Sequence, residues 1–335
     1  MIKIRRRDDH KNQTIDFIHL PLHQNSNAKG GSMSSIKKSL LVVMGLSLIF
    51  PAVLMAGGSS PTCNTKYPII LAHGMGTQAE IMQLIPYWGD IDGALEDEGA
   101  EVYITSVNAM DATASKAAQW KAQVLEIMAA TGAKKVNVIG HSHGCLYTRY
   151  AISNLGMGSM VASHTSIAGP HRGSSAADMI MGLIPDNMEP MVGDVLDTLM
   201  SFLMGDVDGN SVANGYDLTR PYMINTFNPN TKDVPGIYYQ SYAYKCKNVI
   251  GAGPIFSITW LAMLPEEGDN DVLVSVNSAK WGNFKGVVEG APWGYGVNHL
   301  AAVGMMSGLL YPPAIGYDPA THFVDIAKDL KSRGY

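Results

Sequence analysis

One pentapeptide restricts the fold of this chain more than any other feature. Gly140-His141-Ser142-His143-Gly144 directly follows a strand-like run, Lys135 to Ile139, and directly precedes a helix-compatible run, Cys145 to Asn154. The G-x-S-x-G pattern alone is weak, since a Gly-rich chain of this size meets it by chance roughly once in several proteins. Set between a strand and a helix, it describes a sharp turn that lifts a serine hydroxyl above a sheet edge. Glycines two before and two after let the backbone fold tightly without Cβ clashes. The serine then stands at a helix N-terminus, whose dipole favours developing negative charge. Ser142 is therefore the candidate nucleophile.

The surrounding pattern is that of a mainly parallel sheet flanked by helices. Tyr67 to Ala72, Glu101 to Ile104 and Lys135 to Ile139 are apolar runs of the kind expected for strands covered on both faces. Between the last two, Thr113 to Ala130 carries Ala117, Trp120, Val124, Ile127 and Met128 at helical spacing, and Gly132 follows as a stop. Strands alternating with helices give an α/β fold. Further on, Val192, Val195, Leu196, Leu199, Phe202 and Leu203 recur at three- and four-residue steps in a Met-rich stretch punctuated by Gly182, Pro185, Gly193 and Gly205. The segment 178–205 is expected to be an amphipathic cover over the site, the alternative being a core helix.

Charge excludes several classes of function. Up to Lys38 the chain carries eight Lys/Arg and three Asp/Glu; everything after carries 16 and 26, a net charge of −10. Such a body is a poor nucleic-acid partner, because that binding rests on neutralising phosphates. Lys37 and Lys38 precede an apolar run, Leu40 to Met55, and then small residues, Ala56 to Ser60. A basic start, a short apolar centre and a small-residue exit read as a secretory signal peptide. The run is shorter than the roughly 20 residues a spanning helix needs. Residues 1–56 are thus set aside as an extension and signal, with Met33 the expected start, and 57–335 forms the single catalytic domain. Export permits a disulfide, and Cys63 with Cys246 is the one pair that suits it, Cys145 lying beside the serine motif.

A serine that attacks an acyl group needs two donors for the oxyanion. One is the backbone N–H after the nucleophile, His143; the other belongs to a loop after an early strand, where His73-Gly74-Met75-Gly76 stands. Met75 is the expected donor, and His73 a structural hydrogen-bonder.

YPIILAHGM, YWGDIDGALEDEGAEVYI, KKVNVIGHSHG and TSIAGPHRGS, spread over Tyr67 to Ser174, resemble the secreted bacterial triacylglycerol lipases of the Pseudomonas/Burkholderia/Proteus type. The resemblance is dense to Ser175, weak from about Asp178 to Glu267 and patchy afterwards. It implies an α/β-hydrolase fold, a Ser-Asp-His triad and a helical lid. In that chain order His164 and His171 come too early, and His322 sits in a helix-like tail; His299, in Asn298-His299-Leu300, matches the family's N-H-[LI]. Asn270-Asp271-Val272-Leu273-Val274 resembles the family's N-D-G-L-V, making Asp271 the expected acid and Asp269 its neighbouring alternative.

The resemblance also implies a calcium site and, for many members, a membrane-anchored foldase. An aspartate ligand normally lies two residues after the histidine, and here that position is Ala301. Only Glu266, Glu267 and Asp269 are offered upstream. Calcium takes six to eight oxygens, several from carboxylates. The expectation is no metal, with the His299 loop braced through Trp293 and Tyr295. The activity expected is ester hydrolysis on acylglycerols. A carboxylesterase or polyester depolymerase of the same fold, and a non-catalytic binding protein, are the alternatives.

Overall fold

The computed structural model describes residues 61–75, 86–108, 110–182, 211–305 and 312–335. The stretch 1–56, expected to be an extension and signal, and nearly all of the expected cover lie outside them. Its first residues, Asp178 to Ile180, end a short helix, Ser175–Ile180, most of which is buried.

Among the described residues six strands form one parallel sheet: β1 (Ile69–Ala72), β2 (Val102–Thr105), β3 (Val136–His141), β4 (Val161–Ile167), β5 (Tyr238–Tyr244) and β6 (Asn283–Val288). Their order is β2-β1-β3-β4-β5-β6, with Leu71 paired to Ile104 on one side and Ile139 on the other. The chain leaves β1 in one direction and returns to its other side. The crevice at the carboxyl ends of β1 and β3 is therefore a topological switch point, the usual place for a site in an open α/β sheet.

The pleat sends alternate side chains to two cores. Ile69 and Leu71 join a cluster with Ile91 and Leu95 of α1 (Ile91–Asp97) and with Phe323, Ile326 and Leu330 of a C-terminal helix, Pro319–Ser332. Ile70 and Val138 face Trp120, Val124 and Ile127 of α2 (Thr113–Thr131) and Tyr147 and Ala151 of α3 (Gly144–Asn154). Helix α2 stops where its apolar spacing stops: Gly132 takes φ +73°, and its N–H returns to the Met128 carbonyl.

The strand β4 is fully buried yet reads VASHTSI, so its polar groups must find partners inside. Ser163 donates to Asn137 Oδ1 at 2.8 Å, His164 Nε2 meets Thr148 Oγ1 at 2.8 Å, and Thr165 Oγ1 accepts from Gln240 Nε2 at 3.0 Å. A long helix, Val249–Glu267, had no counterpart in the sequence reading. It is long and apolar enough to cross a membrane by composition. It is broken at Gly253-Pro254, and it packs Phe256, Thr259, Ala262 and Met263 into the body of the protein.

Cys63 and Cys246, the one pair the sequence offers for a disulfide, are not joined: all three cysteines are free and buried. The Cys63 thiol donates to the Val324 carbonyl, whereas Cys246 sits after β5 with its N–H on the Asn270 carbonyl. Each is thus claimed by a different part of the core. Burial pushes the Cys145 thiol up to about 12. The expected outcome of a thiol titration is no fast reaction in the native protein and three reactive thiols in denaturant. Reducing agent should leave the melting temperature unchanged; a reductant-sensitive transition would contradict the free-thiol assignment.

Candidate active site

Ser142 occupies φ +56°, a region that costs a non-glycine residue about 1–2 kcal/mol. Its neighbours hold it there. The Ser142 N–H donates to the Ile167 carbonyl of β4 at 3.0 Å, and its own carbonyl accepts from Cys145 N–H at 3.0 Å. The motif glycines are sterically required. A Cβ on Gly144 would lie 2.1 Å from the Ala72 carbonyl oxygen, and one on Gly140 would lie 2.9 Å from Cys145 N. Helix α3 therefore starts tight against the end of β1 because residue 144 has no side chain.

The loop after β1 crosses directly over the serine. A Cβ on Gly74 would meet Ser142 Cβ at 2.7 Å and its Oγ at 3.2 Å. Met75, the expected donor, is the next residue and is half-buried. His73 is buried; its Nδ1–H donates to the Gly74 carbonyl at 2.8 Å and its Nε2 accepts from Val107 N–H at 3.0 Å. It is a structural anchor of this loop. The His143 ring points away into the α2 side of the sheet. There Lys116 Nζ donates to its Nδ1 at 3.1 Å, and its Nε2 meets Thr113 Oγ1 at 2.8 Å.

Asp271 and His299 are brought together twice. His299 Nδ1–H donates to Asp271 Oδ2 at 2.8 Å, and its backbone N–H donates to the Asp271 carbonyl at 2.8 Å. Both residues are buried, at 3% and 1% exposure. The other carboxylate oxygen of Asp271 accepts the N–H groups of Leu273 and Val274 at 3.1 and 2.7 Å. Asp269, the alternative acid, is exposed and pairs with Lys245. Val272 sits at φ +88°, which is unusual for a β-branched residue and shows why glycine suits this position. The His299 ring packs on the His141 ring at 4.6 Å between centroids, which sets the Asp271–His299 pair against the residue preceding Ser142.

Sequence reasoning missed two residues. Of the expected braces of the His299 loop, Trp293 is 78% exposed, whereas Tyr295 packs against Gly251 and accepts from Lys247 N–H through its carbonyl. Asn298 does the bracing. Its Oδ1 accepts from Leu300 and Ala301 N–H, and its Nδ2 donates to the Gly251 carbonyl at 2.9 Å. The other missed residue is Tyr87, whose hydroxyl bonds both Gly74 N–H and His141 Nδ1.

The carboxylates considered for a metal are all engaged by the protein. Glu266 faces Arg220, which also clamps Asp178. Glu267 accepts from Ser175 N–H and Ser275 Oγ, each at 2.6 Å. Ala301 is packed in a short helical turn, Ala301–Val303.

A family model for palmitoyl protein thioesterase matches residues 68–215. A triacylglycerol lipase of Vibrio cholerae is 39% identical over 152 residues, covering 44% of this chain and 47% of that protein. One of Burkholderia plantarii is 38% identical over 123 residues, covering 36% of this chain and 34% of that protein. Over the aligned stretch the chain is similar to bacterial triacylglycerol lipases. The aligned stretch spans less than half the length of these lipases. Among solved structures, a metagenomic carboxyl esterase superposes with a TM-score of 0.60 at 17% identity, covering 80% of this chain and 76% of that one. A mature lipase of Bacillus licheniformis gives 0.55 at 18%, covering 71% and 87%. These superpositions identify the fold as that of the α/β-hydrolases.

Burial keeps several histidines of the protein neutral. It holds His73 and His322 down to about 4 and His164 to about 3. His141, His143 and His171 are pushed well below the ordinary range, first by desolvation and then by the neighbouring charges of His299, Lys116 and Arg149 respectively. A base whose folded pKa lies below its unfolded value of about 6.5 costs stability once the unfolded chain begins to take up protons. Stability should therefore be flat above about pH 6.5 and fall as the pH drops towards 4. The melting temperature at pH 4.5 should lie about 10 °C or more below that at pH 7. A flat profile across that window would mean that these imidazoles are not held neutral.

Proposed function

We propose that this chain is a serine ester hydrolase acting on acylglycerols, with Ser142, His299 and Asp271 as its triad. The observation that carries the proposal is the doubly hydrogen-bonded Asp271–His299 pair, packed through His141 against a strained serine turn. Ser142 Oγ attacks the ester carbonyl as His299 Nε2 takes its proton, and His299 then protonates the leaving alcohol. Asp271 fixes the imidazole tautomer and stabilises the imidazolium. Its two bonds from Leu273 and Val274 keep the carboxylate from rotating away.

The tetrahedral oxyanion is received by the backbone N–H groups of Met75 and His143, each worth roughly 3 kcal/mol by analogy with other such sites. Water then attacks the acyl-enzyme by the reverse proton transfers. The thioesterase family match supports the same acyl-transfer chemistry, and the lipase relatives supply the acylglycerol class. Export through the signal segment Leu40 to Met55, with a foldase as candidate partner, belongs to the same reading.

Ser142→Ala should fold with an unchanged melting temperature and lose about four orders of magnitude or more of kcat on p-nitrophenyl butyrate. His299→Ala should be comparably damaging, while His322→Ala should retain turnover. Substantial turnover by purified Ser142→Ala would remove the assignment.

Hydrolysis is also proposed to run without metal. Dialysis against chelator should leave both kcat and melting temperature unchanged. A loss restored by calcium would show that other oxygens have rebuilt the site.

A further inference from the structure

The triad reading gives Tyr87 no role and uses His141 only as a packing surface for His299, although both are held at the centre of the site. Gly74 N–H donates to the Tyr87 hydroxyl at 2.8 Å, and that hydroxyl in turn reaches His141 Nδ1. On the other edge of the same ring, His141 Nε2 lies 3.1 Å from the His299 carbonyl oxygen. Only one set of donors satisfies every contact. The Tyr87 oxygen accepts from Gly74 and its proton goes to His141 Nδ1, so the His141 proton sits on Nε2 and goes to the His299 carbonyl. The chain of bonds continues from His299 N–H to the Asp271 carbonyl. It requires a neutral tyrosine and a neutral His141, and burial supplies both, pushing the phenol up and the imidazole down.

Two further observations show that this link is built rather than incidental. Gly74 is wedged between its partners: a Cβ there would stand 2.8 Å from the Tyr87 hydroxyl as well as 2.7 Å from Ser142 Cβ. The pair is also walled by aromatic rings. Trp88 meets Tyr87 edge-on at 5.1 Å, His141 at 6.5 Å and Phe323 at 6.0 Å. The His141 ring is buried, and the half-buried Tyr87 is braced on Trp88. The bonds join loops from three different strand ends, one carrying the expected oxyanion donor, one the serine and one the histidine.

We propose that Tyr87 is a positioning residue that, through the His141 ring, locks the oxyanion-loop backbone at Gly74 to the backbone of His299. It touches neither substrate nor the moving proton. It keeps the loop bearing Met75 and the imidazole of His299 in fixed register on opposite sides of Ser142, as a site for a transition state requires. A shift of a few tenths of an ångström at Gly74 would weaken the oxyanion while leaving the acyl and alcohol contacts of the ground state intact. The inference rests on the triad reading above.

The test is Tyr87→Phe, which keeps the ring and removes only the oxygen. Against p-nitrophenyl butyrate it should lower kcat by about 10- to 100-fold with KM changed less than twofold. Affinity for an alkyl boronic acid, which forms a tetrahedral adduct on the serine, should weaken by the same factor. His141→Gln, whose amide can accept from Tyr87 and donate to His299, should keep most of the activity; His141→Leu should lose it as Tyr87→Phe does. The double variant Tyr87→Phe/His141→Leu should be no worse than the poorer single one, since both break one chain. Unchanged kcat and boronate affinity in Tyr87→Phe would overturn the proposal. So would independent, multiplying losses in the double variant. If Tyr87→Phe does not fold, the contrast between His141→Gln and His141→Leu decides alone. Labelling of wild-type Ser142 by a fluorophosphonate separates the two levels: no labelling fails the hydrolase reading itself, whereas normal labelling with an unaffected Tyr87→Phe fails only the positioning role.

Discussion

Helix α3 starts within van der Waals contact of the end of β1, and the rest of the site depends on that approach. The Ala72 carbonyl leaves no room for a Cβ at residue 144. The turn before the helix must then be tight enough to drive Ser142 to φ +56°, and the sheet has to hold it there through the Ile167 carbonyl. The same closeness brings the loop after β1 over the serine, so that Gly74 in turn has no space for a side chain. One steric condition thus propagates from residue 144 to 142 and across to 74. The geometry at the serine is set by packing of backbone against backbone, which deforms less readily than a side-chain contact.

The interior below the site is polar, and this changes how it is stabilised. Arg149 is buried with its guanidinium 3.6 Å from the Trp281 ring, donating to Asn228 Oδ1 and the Thr231 carbonyl. His171 accepts from Arg149 and meets Ser166 Oγ at 2.7 Å. Such groups bring little hydrophobic stabilisation. Removing one member would leave the others buried without partners, which costs about 1–3 kcal/mol each. The network therefore specifies one arrangement of β4, α3 and the loop after β4.

Much of the sheet was readable because it is written in local signals. Apolar runs marked β1, β2 and β3 to within two residues, and Gly132 marked the end of α2. Ser142 was singled out by a turn that needs glycines at fixed offsets, and Asp271 and His299 by short motifs that resemble the family's; the structure sets the latter two side by side. β5 was not readable, since Gln240 and Ser241 interrupt its apolar pattern and their partners lie on other strands. Helix Val249–Glu267 was hidden because it is apolar nearly all round and contains Gly253 and Pro254, which argue locally against a helix. Tyr87 and Asn298 act only after distant segments have met. Nothing in the spacing of a tyrosine or an asparagine announces such a role.

The stretch ahead of β1 is fastened by residues from the other end of the fold. Lys66 N–H donates to the Tyr335 carbonyl, the Cys63 thiol to Val324 and Lys331 to the Pro61 carbonyl. Helix α1 packs on the helix Pro319–Ser332 as well. Contacts of such long sequence separation are slow to form and cannot form at all until both partners are available. One face of β1, already paired to β2 and β3, stays uncovered until helix Pro319–Ser332 packs beside it. That helix acts as a clasp between two distant parts of the fold, and loosening it would release the stretch ahead of β1 first.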